Sequence, residues 1–147
     1  MLPGCGFELR RPPVLPFTRI TLAGFVPRSS LAEELRALLL TQVQVVDAPA
    51  PADVVLVALL DKRERSVVAS SAVGQVRELQ LRLRLEFKVQ TPSGRELLPR
   101  AELALKRDLS YSESAALAKE YEEAQLFREM QSDVVVQVLR RLASVKL

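Results

Sequence analysis

Within residues 76–90, polar and apolar side chains alternate from Glu78 onward, which is the pattern of a β-strand with one buried and one wet face. The apolar positions are Leu79, Leu81, Leu83, Leu85, Phe87 and Val89. Residues 91–94, Thr-Pro-Ser-Gly, are typical of a turn, and alternation resumes beyond it at Ala101, Leu103 and Leu105. Pro99 has no amide proton and therefore predicts an edge strand or a bulge.

An apolar run rich in β-branched residues, Asp53–Leu60, predicts a further strand upstream. The charged run Asp61–Arg65 follows it, so we expect this strand to leave the core midway. Residues 54–109 are therefore predicted to form an antiparallel meander.

Helical spacing first occurs near the start of the chain, where an apolar stripe consists of Leu31, Leu35, Leu38 and Leu39. Ser30 and Glu33 have the spacing of a capping box, so we expect the helix to begin there. Strands are predicted on either side, at Thr18–Phe25 and Val43–Val46, joined by a right-handed crossover.

A second helix is predicted from about Ser112 to Ala143, with Ser110 and Glu113 as a capping box. Its apolar face is expected to consist of Leu117, Tyr121, Ala124, Phe127, Met130, Val134, Val138 and Leu142. Such a stripe requires a sheet beneath it. The pattern as a whole predicts an α+β fold, a two-layer sandwich of a mixed, mostly antiparallel sheet with two helices packed on one face.

One domain is expected at residues 17–147, because 147 residues suffice for a single core. Pro12, Pro13 and Pro16 favour an extended path. Residues 1–16 are therefore predicted to be a segment that precedes the domain, with a lipid-attachment motif and a proline-rich tether.

Composition excludes most familiar enzyme classes, because the chain has no histidine and one cysteine. Neither a Ser-His-Asp triad nor a His-ligated zinc site is available. Glu120, Glu122 and Glu123 are the remaining candidates for carboxylate chemistry, and they are more simply the solvated face of a helix. The chain is predicted not to be an enzyme and to need no cofactor or metal. A net charge of +3 is compatible with phosphate-bearing partners and with scattered solvated arginines.

The single cysteine, Cys5, follows a small residue and has an aliphatic residue three positions before it, as in a bacterial lipobox. On this interpretation the sequence begins just before the cleavage site of a signal peptide, and Cys5 carries lipid. The alternative is an incidental free thiol. Bacterial lipoproteins retained in the inner membrane commonly have aspartate after the cysteine, and here Gly6 favours the outer membrane. No apolar run is long enough for a transmembrane helix.

The start Leu-Pro-Gly-Cys-Gly-Phe, the order of elements, the Gly74-Gln75 turn and the stretch Ala116–Lys119 together resemble the lipopolysaccharide-assembly lipoprotein family, LptE. The resemblance covers the whole chain. It implies a lipoprotein on the periplasmic side of the outer membrane, seated in the lumen of the lipopolysaccharide-assembly β-barrel LptD. Such a protein helps to assemble the barrel and assists the delivery of lipopolysaccharide to the cell surface. The charged side chains of residues 82–88 are compatible with a polar lumen.

The family also implies basic residues that bind lipopolysaccharide, and the matching position here is Lys119. A second family cation before the Gly-Gln turn is replaced by Ala72 and Val73, and Arg77 is the candidate substitute because a guanidinium binds phosphate through two hydrogen bonds. Lys119 has a simpler interpretation as a solvated lysine paired with Glu122 or Glu123.

Three other functions remain open. These are a different envelope-binding lipoprotein, a small nucleic-acid-binding module and a carboxylate enzyme. Seven aromatic residues and no basic block disfavour nucleic acid as a partner. A carboxylate enzyme requires Glu120 and Glu123 to line a pocket.

Overall fold

The computed structural model describes residues 13–147, except for the side chains of Ala69, Val76, Arg77 and Glu113. In chain order the elements are β1 Arg19–Ala23, α1 Ser30–Leu39, β2 Gln44–Val45, β3 Val54–Ser70, β4 Val76–Gln90, β5 Glu96–Ser110, a 3-10 turn Glu113–Ala115, and α2 Ala116–Ala143. The predicted α+β class and its element order are confirmed.

The five strands form one mixed sheet in the order β2-β1-β3-β4-β5. β1 is parallel to both β2 and β3, whereas β3, β4 and β5 form the predicted antiparallel meander. Phe87 pairs with Ala101 and Val89 with Leu98, so the register shifts around Pro99 on the outermost strand. The prediction of an edge and bulge at this proline is confirmed.

The core lies between one face of the sheet and the two helices. The six apolar positions of β4 named above are all buried at 0–2% exposure. α1 contributes Leu31, Leu35 and Leu39, and α2 contributes a stripe from Phe127 to Leu142. Leu38 also belongs to the predicted apolar stripe, but it is 38% exposed, so the expectation that the whole stripe lies in the core is wrong.

The charged run Asp61–Arg65 does not end β3, which is 17 residues long. Each charged residue pairs with a residue of β4, so the ladder continues through the run, where Lys62, Arg63 and Arg65 are exposed. At about 3.3 Å per residue, β3 spans about 55 Å. α2 has 28 residues and spans about 40 Å at 1.5 Å per residue, so the body is elongated.

Both predicted helix caps differ from the observed ones. Ser29, one residue earlier than predicted, caps α1, since its Oγ accepts a hydrogen bond from the Ala32 amide. Ser110 does not cap α2, because it is the last residue of β5 and pairs with Glu78. α2 begins at Ala116 with no side-chain cap on Ala115.

Candidate functional site

The lysine predicted to bind anions, Lys119, lies where α2 begins above the end of β5. Its Nζ donates to Ser110 Oγ at 3.2 Å and to Glu122 Oε2 at 3.1 Å. The lysine side chain is only 20% exposed, whereas Glu122 is 51% exposed. Lys119 is therefore already engaged, and an incoming anion has to compete with Glu122.

Two contacts hold the start of α2 beside β3. Arg63 lies over the Phe127 ring at 5.2 Å from its centroid, and Arg65 Nε is 3.1 Å from Glu123 Oε1. Two residues forward along β3 thus correspond to four residues back along α2. β3 and α2 are therefore antiparallel. β3 runs toward the β3–β4 turn, and α2 runs away from it.

We call this region the distal end: residues 65–80, residues 106–110 and residues 116–124. Arg77, the second predicted cation, is in β4 at the distal end, but its side chain lies outside the description and its role stays a prediction. Ala72 and Val73, which replace the family's cation, are exposed in the turn. Cys5 lies outside the described residues, so its lipidation also stays a prediction.

Exposed apolar side chains also occupy the distal end. They are Val67, Val68, Val73, Leu117 and Tyr121. The prediction that Leu117, Tyr121 and Ala124 line the buried face of α2 is wrong. Lys119 and Glu123 contact the sheet at this level, and at about 100° per residue Leu117 and Tyr121 fall on a different side of the helix.

A polar joint connects α1, α2 and β3 next to the distal end. The buried Gln131 accepts hydrogen bonds at Oε1 from Ser30 Oγ at 2.8 Å and from Arg63 Nη2 at 2.6 Å. Its Nε2 donates to Ser30 O at 3.2 Å and to Glu34 Oε1 at 2.9 Å. Gln131 occurs within a helical sequence with no motif to single it out, and sequence reasoning missed it.

The opposite end of the sheet receives the segment that leads into the domain. Gln42 donates through Nε2 to Pro13 O at 3.0 Å and accepts from the Leu15 amide at 3.1 Å. Leu15 and Phe17 are buried in the core. The described chain therefore enters at the end of the sheet that is far from the β3–β4 turn.

Asp53 fixes the start of β1 at this entry end. Its Oδ2 accepts hydrogen bonds from the Thr18 amide, the Thr18 hydroxyl and the Arg19 amide, at 2.9–3.1 Å. The hydrogen bond from the Thr18 side chain, then the two backbone bonds and the charge of Arg19, lower the pKa of Asp53 against a smaller opposing effect of burial. The ionised carboxylate stabilises the entry point.

This chain was compared with protein-family models, with curated proteins and with solved structures. The model of LptE, described as lipopolysaccharide-assembly, matches residues 17–142. The chain belongs to the LptE family. A comparison with curated proteins finds no match.

Three solved structures share the LptE fold of this chain. Lipoprotein B from Nitrosomonas europaea has 29% identity and a TM-score of 0.79, over 95% of this chain and 91% of that one. Rare lipoprotein B from Shewanella oneidensis has 30% identity and a TM-score of 0.70, over 86% of this chain and 95% of that one. A minor lipoprotein from Acinetobacter baumannii has 21% identity and a TM-score of 0.70, over 88% of this chain and 93% of that one. This last comparison shows likeness of fold alone.

The face of the LptE sheet opposite the helices carries a ladder of ion pairs. Arg84 is central, at 3.0 Å from Glu102 and 3.4 Å from Glu64, and Arg100 pairs with Glu86. The hydrogen bond and charge of Glu102 raise the pKa of Arg84. The predicted charged surface of β4 is thus present, and pairing with β3 and β5 neutralises part of it.

The LptE family is non-enzymatic. Glu120 is exposed, whereas Glu123 is bonded to Arg65, so the two do not form a catalytic pair in a pocket. Within residues 13–147, no group of three or more His, Cys, Asp and Glu residues is arranged to hold a metal ion. Neither α1 nor α2, the two α-helices of residues 13–147, combines the length and the hydropathy of a membrane-spanning segment.

Proposed function

We propose that this chain is an outer-membrane lipoprotein that plugs and helps to assemble the LptD β-barrel and assists lipopolysaccharide delivery to the cell surface. The observation that carries the proposal is the LptE family match over residues 17–142. The fold adds support, because the sheet and both helices that the family model spans are present in one elongated body.

The charge ladder supports a position inside a barrel, whose lumen is lined by polar side chains. Arg84 links Glu64 on β3 and Glu102 on β5, and Arg100 on β5 pairs with Glu86 on β4. These pairs make the open face polar and neutralise part of its charge. Such a face suits a polar wall without leaving a buried, unpaired charge.

Anchoring in this proposal depends on Cys5, whose acyl chains hold the protein at the periplasmic leaflet of the outer membrane. The bonded entry of Pro13 and Leu15 supports the proposal, because it attaches the lipidated segment to one defined end of the body. The distal end then lies farthest from the anchor. Lys119 and Arg77 are proposed to bind the phosphates of lipopolysaccharide there.

The test is co-purification. The precursor is expressed in an outer-membrane-forming host together with its own LptD and extracted in mild detergent. We expect a stoichiometric complex with LptD. Recovery of the chain alone, or with a soluble envelope protein, would overturn the plug and favour a different envelope-binding lipoprotein.

Two variants refine the test. Arg84→Glu places a third acidic side chain beside Glu64 and Glu102 and is expected to reduce recovery of LptD. Arg36→Glu is the matched control, since Arg36 is an exposed arginine of α1 whose distance to Asp47 is 3.9 Å. Equal recovery with both variants would exclude the charge ladder as the contact with the barrel.

A further inference from the structure

β5 forms a long edge of the sheet. It stands last in the strand order and has 15 residues, whereas β2 at the opposite edge has two. Within residues 13–147, no backbone hydrogen bond joins β5 to any element other than β4. The amide and carbonyl groups on the outer side of β5 are therefore open to pairing with another strand.

Proline, bulges and lysine commonly protect such an edge. Pro99 and the register shift around it lie near the start of β5. The run Arg100–Ser110 that follows contains neither proline nor glycine. This run is as long as an ordinary strand and can therefore make a specific pairing of its own.

The open face of this run carries charges in a self-complementary order. Alternate residues are exposed there, namely Arg100, Glu102, Ala104, Lys106 and Asp108. Residues at equal distances on either side of Ala104 have opposite charges. A twofold axis through Ala104 would therefore bring opposite charges of two strands together.

An antiparallel second copy of β5 satisfies this symmetry. With Ala104 opposite Ala104 of the second copy, Arg100 faces Asp108 of that copy and Glu102 faces its Lys106. Each pair occurs twice, because the axis relates the two strands. Opposite charges that face each other across neighbouring strands stabilise a sheet.

Other registers bring like charges together. Moving the second copy by two residues in one direction sets Arg100 opposite Lys106, and moving it in the other direction sets Glu102 opposite Asp108. A shift of one residue turns the charged face of one strand against the helix-packed face of the other. The order of charges therefore specifies the register centred on Ala104.

Lys106 lacks an acidic partner in the described part of its own chain. The residue opposite it on β4 is Arg82, and no carboxylate of the described residues lies within ion-pair distance of Lys106. Two like charges directly opposite each other destabilise a sheet. Glu102 accepts from Arg84 Nε through Oε1, so its Oε2 remains available to a further donor. Glu102 of a second copy thus supplies the carboxylate that Lys106 needs.

The helix-packed face is compatible with the same register. Leu103 is buried there, whereas Leu105 is only half-buried. In the register centred on Ala104, Leu105 lies opposite Leu103 of the second copy. The pairing therefore extends the apolar layer of the sheet across the axis.

We propose that β5 pairs with β5 of a second copy, antiparallel and centred on Ala104, and joins the two five-stranded sheets into one. The partner is a second copy of this chain, and the assembly is a symmetric dimer. The inference goes beyond the proposed function and concerns the chain outside a barrel. Pairing covers an edge that otherwise invites nonspecific strand addition.

Sedimentation velocity of the unlipidated full chain tests the dimer. A reducing buffer prevents a disulfide through Cys5, the single cysteine. The wild type is expected to change from monomer to dimer as its concentration rises, and high salt is expected to weaken the dimer because exposed ion pairs are screened. A monomer at every concentration up to the millimolar range would overturn the inference.

Two charge reversals test the register. Lys106→Glu sets glutamate opposite Glu102 twice, and Glu102→Lys sets lysine opposite Lys106 twice. Each variant alone is expected to dimerise at least about tenfold more weakly than the wild type. An equal mixture of the two is expected to restore the dimer, because the new lysine at position 102 then faces the new glutamate at position 106. The remaining Lys106 and Glu102 also face each other in this mixed dimer.

Lys88→Glu is the matched control, since it makes the same change of charge on the central strand β4 and is expected to leave the dimer unchanged. Circular dichroism verifies that every variant folds. Dimerisation of both single variants at wild-type strength would place the contact elsewhere and overturn the inference. A mixture of folded variants that stays monomeric would contradict the register centred on Ala104. A monomeric wild type whose recovery of LptD falls in Lys106→Glu would mean that the barrel, and not a second copy, covers this edge.

Discussion

Lys119 and Glu122 form an ion pair across one turn of α2, with Nζ 3.1 Å from Oε2. The lysine is also bonded to Ser110 at the end of β5, so the pair fixes the cation above the sheet. An anionic ligand at Lys119 therefore has an internal competitor. This relationship makes the acidic partner as informative a mutational target as the lysine.

Glu122→Gln is expected to strengthen binding of deacylated lipopolysaccharide about twofold, because a helix ion pair of this spacing is worth about 0.2–0.5 kcal/mol. Glu120→Gln is the control, since it removes the same charge from an exposed position two residues away. Titration at low salt measures both affinities. Equal strengthening by the two variants would mean that overall charge is responsible and that Glu122 does not compete for Lys119.

Gly24→Ala is expected to destabilise the fold by at least about 3 kcal/mol. Gly24 has a φ of +81°, and a Cβ there would lie 2.2 Å from Ala58 O, so strand β3 would have to shift. Gly74→Ala is the control at a φ of +80° with open space around it, and it is expected to cost only about 1–2 kcal/mol. Urea unfolding measures both, and similar losses would show that the close approach to Ala58 has no energetic weight.

Gln131→Leu is expected to lower the free energy of unfolding by about 1–3 kcal/mol, because it leaves Ser30, Glu34 and Arg63 without their shared partner. Gln125→Leu changes an exposed glutamine of the same helix and is expected to have an effect within about 0.5 kcal/mol. Chemical unfolding compares the variants. An unchanged stability of Gln131→Leu would show that apolar packing alone aligns α1 with α2.

Asp53 predicts an acid-dependent contribution to stability. Its pKa in the folded protein is lowered from the ordinary 3.8, so its contribution is fully present above pH 3.8 and is lost as the pH falls from there through the folded pKa. Asp53→Asn is expected to be less stable than the wild type at pH 5–7, and the difference is expected to shrink below pH 3.8. Thermal unfolding across this range measures it, and a difference that does not change with pH would contradict the assignment.

Local patterns in the sequence predicted much of the fold. The alternation from Leu79 to Val89 required a half-buried strand, and Pro99 required an edge or bulge, because a proline has no amide proton to give to a neighbouring strand. Lys119 was predicted from a family motif, and its pairing with Glu122 was the predicted alternative to a binding role. Spacing along a helix is enough for such a pair.

The same local reasoning misplaced Leu117 and Tyr121, because helical periodicity states which residues share a face and not whether anything covers that face. Whether it is covered depends on α2, whose start contacts β3 and β5 through Glu123 and Lys119. Gln131 and Arg84 likewise acquire their partners from elements distant in the chain. The sequence by itself determined the strands, the helices and the family. Only the tertiary structure decided which apolar residues are exposed and which charges are paired, because burial and long-range ion pairs depend on distances that no short stretch of sequence contains.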